Sequence, residues 1–256
     1  MTKLYVYLPC YNEEQNIETL LRAWLAVERA LAQRGYTLRI VAVDDKSRDA
    51  TLSILRRMER EHETIQVIAN AQNQNLGGVL RISIQDFLKR SAQADLFCFM
   101  DGDNTHDPIY IFDMLDAMAQ HDCVIASRYR KGARVYGVPL HRQLYSCGAR
   151  AYYSLVLHVP GVRDYTCGYR LYRRAILAQA DRRFGAELIS VRTFSCMMEL
   201  LYKLHLCGCR FAEIPFALHY DAKGGGSKMQ VSKTIKDSIA LSLRLRKQAR
   251  RSEKTN

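Results

Sequence analysis

The stretch Leu96-Phe97-Cys98-Phe99-Met100-Asp101-Gly102-Asp103 decides the fold. Its apolar half is too short for a helix and rich in aromatics, which reads as a strand buried on both faces. It runs without a break into two carboxylates separated by one glycine. Runs of the same kind occupy residues 4–8, 38–43, 65–69 and 123–126, and helix-length segments at 16–33, 49–60, 78–90 and 108–120 lie between them. In the first of these, Ile17, Leu20, Leu21, Trp24, Leu25 and Leu31 form a stripe of helical period. Pro108 suits a first helical turn and Asp107 its cap. Such alternation predicts an α/β fold, with parallel strands and helices on both faces.

In sheets of this type ligands bind beyond the carboxyl ends of the strands. The strand ends here are Pro9-Cys10-Tyr11-Asn12-Glu13, Asp44-Asp45 and Asp101-Gly102-Asp103, and acidic residues collect at all three. Asp101 and Asp103 suit one hard cation, Mg²⁺ or Mn²⁺, and the diphosphate it bridges. The alternative is a plain turn, since Asp and Gly are common turn residues. Asp44 and Asp45 offer acceptors to a base N–H or to sugar hydroxyls, while Ser47 or Asp49 suits the cap of the next helix.

As an ordered set, Pro9-x-Tyr11-Asn12-Glu13, Val43-Asp44-Asp45-x-Ser47, Asn75-x-Gly77, Asp101-x-Asp103 and Ser127-Arg128-Tyr129 resemble family 2 glycosyltransferases. Residues 163–172 and Gly225-Gly226-Ser227-Lys228 resemble the branch of dolichol-phosphate mannose synthases and bacterial polyprenyl-phosphate glycosyltransferases. The resemblance covers residues 3–235. It implies the GT-A fold, a mixed and mainly parallel sheet. It also implies an inverting transfer from a nucleotide-sugar donor, GDP-mannose or a UDP-sugar, to a lipid phosphate. Pro9, Tyr11, Glu13, Val43 and one or both of Asp44 and Asp45 would hold the nucleoside. Asp101, Gly102 and Asp103 would form the metal and diphosphate turn. Arg128 and Lys228 would contact phosphates, and Arg142 and Ser146 the acceptor's phosphate. Gly102 and Thr105 depart from the Ala and Gln of many relatives, which leaves a third metal ligand open.

An anionic acceptor oxygen needs no general base, whereas a hydroxyl acceptor does. Glu199 and Asp164 are the carboxylates nominated for that role. Glu199 equally suits a helix pair with Lys203, and Asp164 a brace for the Arg170 region. His106 and His141 adjoin site residues without metal-ligand spacing.

The chain has 256 residues, 48% of them hydrophobic, and a net charge of +12. That suits one core, with a catalytic domain over residues 1–228 and a basic amphipathic helix and tail over 229–256. The eight cysteines are scattered and read as reduced core thiols; Cys207-Gly208-Cys209 lacks zinc-site spacing. No run approaches the length of a membrane span. The sequence expectation is a cytoplasmic protein, peripheral at the cytoplasmic face of a membrane. Residues 223–256 carry ten Lys or Arg against Asp237 and Glu253. Within them Val231, Ile235, Ile239 and Leu243 share a helix face, suited to an anionic membrane or a membrane-protein partner, or else to packing on the domain. A nucleic-acid binder accounts for the basic tail but not for carboxylates at three strand ends. Two other readings remain: a family 2 enzyme with a glycan or other hydroxyl acceptor, and a non-catalytic nucleotide-sugar-binding subunit of a membrane complex.

Overall fold

The computed structural model describes residues 1–222, 224 and 238–248, without the side chains of residues 141, 142 and 144. Among them, nine strands form two sheets. The seven-stranded sheet runs β3-β2-β1-β4-β7-β5-β8: Ile65–Ala69, Tyr36–Asp44, Thr2–Cys10, Leu96–Phe99, Arg170–Arg173, Cys123–Ser127 and Phe211–Pro215. β7 alone is antiparallel, lying between β4 and β5, so the sheet is mixed and mainly parallel as expected. A second ribbon pairs β6 (Arg134–Tyr136) with β9 (Ala217–His219).

Leu4 through Leu8 are buried without alternation, because both faces of the sheet are covered at this central strand. The helices are α1 (Ile17–Gln33), α2 (Thr51–Glu61), α3 (Asn75–Arg90), α4 (Ile111–Ala117), α5 (Leu140–Val156), α6 (Arg174–Phe184), α7 (Cys196–Leu206) and α8 (residues 238–248). The stripe read in α1 is the buried one: Ile17, Leu20, Leu21, Trp24 and Leu31 face the core. The eight cysteines are free; seven are buried and pack as small hydrophobes, whereas Cys147 is exposed on α5 and is not a core thiol.

α8 packs on the domain through Ser238, Leu241, Ser242 and Leu245. Ser195 and Tyr152 share hydroxyl hydrogen bonds with Ser238 (2.6 Å) and Ser242 (2.9 Å). The face named from sequence is therefore not the packed one. Ile239 and Leu243 stay exposed, while Val231 and Ile235 lie outside the described residues.

Candidate active site

Parallel register brings the three acidic strand ends together. Cys10 of β1 lies opposite Asp44 of β2, and Tyr7 lies opposite Phe99 of β4. The Asp45 N–H donates to the Cys10 carbonyl at 2.8 Å, and the Met100 N–H to the Tyr7 carbonyl at 3.2 Å. Each strand thus hands its loop to the same edge. Asn12, Lys46, Asn75 and Asn104, all at that edge, have positive φ between 56° and 65°. Left-handed non-glycine residues are uncommon and cluster at functional sites.

The two carboxylates of the second strand end do different work. Asp45 Oδ1 accepts from Asn70 Nδ2 (2.9 Å) and from the Gln74 N–H (2.7 Å), so it anchors the turn into α3. Asp44 is equally buried, but its Oδ1 has no hydrogen-bond partner among the described residues. A buried carboxylate oxygen left unpaired at this edge keeps its capacity to accept a hydrogen bond from a ligand or water. Of the pair, Asp44 is the residue placed to meet one. Val43, fully buried in β2, contributes backbone and core only.

Glu13 is buried in the turn after β1, where its N–H donates to Thr51 Oγ1 (2.8 Å) and its Oε2 accepts from Asn16 Nδ2 (2.7 Å). Asn16 in turn grips the far end of the chain. Its Oδ1 accepts from the Gly224 N–H at 2.7 Å, and its Nδ2 donates to the Gly224 carbonyl at 3.1 Å. Pro9 and Tyr11 flank this turn and are partly exposed. Lys228 lies outside the described residues.

At the β4 end, Asp101 and Asp103 are partly exposed and Gly102 is buried between them. A Cβ on Gly102 would lie 2.5 Å from the Pro9 carbonyl oxygen, so the turn sits closer to β1 than the family's usual Ala would permit. Thr105 Oγ1 donates to Asp103 Oδ1 at 2.7 Å. At the position of the family's Gln, Thr105 therefore orients Asp103. His106 is buried, stacked on Phe216 at 5.2 Å, which makes it a packing residue. Among the described residues no third His, Cys, Asp or Glu joins the two aspartates in a metal-ligand cluster. Two oxygen donors on an open turn fit a hard cation whose remaining ligands come from a diphosphate and water.

A single loop, residues 164–168, ties this turn to Arg128. At one end, Asp164 is fully buried and accepts from Arg128 Nε (2.8 Å), Arg128 Nη2 (2.7 Å) and the Arg128 N–H (3.1 Å). Burial pushes the Asp164 carboxyl up, but the Arg128 guanidinium outweighs it and brings the pKa down to about 2. The same ion pair keeps Arg128 charged against its own desolvation. At the other end, a Cβ on Gly168 would meet Asp101 Oδ1 at 2.6 Å, so only glycine lets this loop rest on the Asp101 carboxylate. Arg170, wholly buried, fastens the loop from beneath by donating to the carbonyls of Cys167 (2.9 Å), Met197 (2.7 Å) and Tyr165 (2.8 Å). Glu213 of β8 accepts from the Arg163 and Asp164 N–H groups at 2.7 and 2.6 Å. The sequence reading passed over Arg170 as a strand residue and Glu213 as a site brace. A charged residue inside an apolar run was the available signal for Glu213.

Neither nominated base is available. Asp164 is spent on Arg128. Glu199 is fully buried and accepts from the Ser190 N–H (2.9 Å), Ser190 Oγ (2.6 Å), the Val191 N–H (3.2 Å) and Lys203 Nζ (2.6 Å). It braces the loop whose Arg192 carbonyl accepts the Gly77 N–H (3.0 Å) at the start of α3. Its catalytic assignment is corrected to a positioning one, because a carboxylate enclosed by four donors cannot reach a substrate proton. Ser146 of α5, expected from the resemblance to meet the acceptor's phosphate, hydrogen-bonds the Tyr129 hydroxyl at 2.5 Å. Arg142 stands one helical turn before Ser146, and its side chain is outside the described set.

With this geometry in view, comparison with known proteins defines the class: the glycosyl transferase family 2 model matches residues 5–180, and the chain belongs to that family. Within it, the relatives are those of the dolichol-phosphate mannose synthase branch. The chain is 30% identical to the dolichol-phosphate mannosyltransferase of Pyrococcus furiosus over 96% of its own length and 64% of that protein's. It is 28% identical to the polyprenol monophosphomannose synthase of Mycolicibacterium smegmatis, over 89% and 81%. Among solved structures, glucosyl-3-phosphoglycerate synthase from Mycobacterium tuberculosis, in complex with Mn²⁺, UDP and glucosyl-3-phosphoglycerate, superimposes with a TM-score of 0.67. That match has 16% identity and covers 95% of this chain and 80% of the other, which establishes the GT-A fold.

Proposed function

We propose that this chain moves a sugar from GDP-mannose or a UDP-sugar to a polyprenyl or dolichyl phosphate, with inversion, using Mg²⁺ or Mn²⁺ on Asp101 and Asp103. One observation carries this reading: loop 164–168 rests on Asp101 at Gly168 and locks Arg128 at Asp164, so metal site and phosphate arginine are set by one segment. Arg128 Nε and Nη2 are committed to Asp164 and Thr166, which leaves Nη1 to meet a phosphate. The bound cation would offset charge developing on the departing diphosphate.

Asp44 would hold the nucleoside and Ser146 the acceptor's phosphate. The acceptor oxygen, already anionic, attacks the sugar's C1 as the nucleoside diphosphate leaves with the bonding pair. No proton need be removed, and the enclosed state of Asp164 and Glu199 favours this over a hydroxyl acceptor.

A lipid acceptor calls for a membrane-facing surface. Among the described residues no helix is long and apolar enough to cross a membrane. Of the eight exposed large hydrophobics there, five lie on α5 and α8: Leu140 (72%), Tyr145 (54%), Leu155 (78%), Ile239 (40%) and Leu243 (55%). The two helices meet at Tyr152 and Ser242, so Ser146 shares a helix with this apolar surface. With the basic residues of 223–256 nearby in sequence, it suits an anionic bilayer. A thermal-shift panel of GDP-, UDP- and dTDP-sugars with and without Mn²⁺ tests the donor half. Stabilisation by one nucleotide class only with Mn²⁺ is expected; equal shifts without metal would contradict the reading.

A further inference from the structure

Tyr129 follows Arg128 and is held from α5 by Ser146, as described. Its ring carries two guanidinium groups. Arg128 Cζ lies 5.5 Å from the ring centroid and Arg150 Cζ lies 4.8 Å from it. Cations are attracted to the faces of aromatic rings, more strongly where water is excluded. The two arginines nonetheless differ in kind. Arg128 is neutralised by buried Asp164. Arg150 is partly exposed, and among the described residues no carboxylate pairs with it.

Positions 142, 146 and 150 follow one another at four-residue spacing along α5, the spacing at which helix positions neighbour each other on one face. Arg150 therefore sits one turn beyond Ser146, its guanidinium held against the ring whose hydroxyl Ser146 binds. A guanidinium oriented on an aromatic face, with no carboxylate partner among the described residues, keeps its N–H donors for an anion with little ordering to do on binding.

We propose that Arg150 is a further residue of the acceptor site, which binds the acceptor's phosphate together with Ser146. Tyr129 is the platform that orients it. The inference rests on the lipid-phosphate reading of the acceptor. Its chemistry is that of a phosphate monoester on an apolar chain: Arg150 and Ser146 recognise the phosphate, and the chain extends along the exposed side of α5.

The test measures binding of citronellyl phosphate, a short soluble probe, and of citronellol to the full chain by calorimetry. Wild type is compared with Arg150→Met, Arg150→Lys and Tyr129→Leu. Wild type should prefer the phosphate. Arg150→Met should weaken phosphate binding by about tenfold or more while leaving citronellol binding and donor affinity unchanged. Arg150→Lys should recover part of the loss, since charge remains without the planar fork, and Tyr129→Leu should lose most of it through disorder of the guanidinium. A wild-type preference that survives intact in Arg150→Met overturns the role of Arg150 and leaves the acceptor reading standing. No preference in wild type overturns both.

Discussion

Asp44 and Asp45 are neighbours in sequence with the same burial, and hydrogen bonding alone separates their roles. On the proposed function, Asp44→Asn should reduce donor affinity by about tenfold or more with little change in melting temperature, because Oδ1 has no hydrogen-bond partner among the described residues to lose. Asp45→Asn should lower the melting temperature as well, because it disturbs the turn into α3 that Gln74 and Asn70 fix. Thermal melts beside donor titrations read both. Asp164 gives a pH prediction. Its folded pKa of about 2 lies below the unfolded value of about 3.9, so its stabilisation is present above that value and is lost as pH falls through about 2. Asp164→Asn should cost on the order of 3 kcal/mol at neutral pH, since breaking a buried pair strands the partner charge. In melts from pH 7 down to 2, the gap between variant and wild type should close only below about pH 4. A constant gap across that range would refute the ion-pair account. Residue identity made the ligand types legible in sequence, but which of two adjacent aspartates keeps an unpaired oxygen depends on donors from distant loops.

At the scale of elements, loop 164–168 and the turn into α3 are the parts on which the site is assembled. Gly168→Ala should lower metal-dependent donor binding without unfolding the chain, because the new methyl would displace only the Asp101 carboxylate, the mobile end of a side chain. Donor titration with Mn²⁺ against folded-state circular dichroism checks this; unchanged binding would mean the loop does not set Asp101. The first five strands and four helices were legible because apolar runs and helical stripes are long there. β7 was not, because Arg170-Leu171-Tyr172-Arg173 opens with a charge that reads as surface. That charge is buried on three backbone carbonyls, a tertiary contact with no local signature. The three-residue strands β6 and β9 are too short for any period to show. On α8 the sequence carries apolar residues at two registers. Leu241 and Leu245 pack while Ile239 and Leu243 do not, and the choice is set by hydroxyl partners on α5 and beside α7.

Across the whole molecule, Arg128 leads through Tyr129 to Ser146 of α5, and α5 and α8 carry five of the eight exposed large hydrophobics among the described residues. Attachment to anionic vesicles should be reversible and weaken with salt, each basic residue near the surface contributing on the order of 1 kcal/mol. The double variant Leu155→Asp, Leu243→Asp should be released from sedimenting vesicles while donor binding stays intact; its retention on the vesicles would exclude this face. The central claim is metal-dependent transfer to a lipid phosphate. It is tested most directly by following labelled sugar from GDP-mannose and UDP-glucose into organic-extractable product, with a polyprenyl phosphate or the matching polyprenol as acceptor. Product from the phosphate alone, abolished by chelator and by Asp103→Ala and restored by Mn²⁺, is the predicted result. Transfer to the polyprenol, or undiminished turnover in chelator, would contradict it.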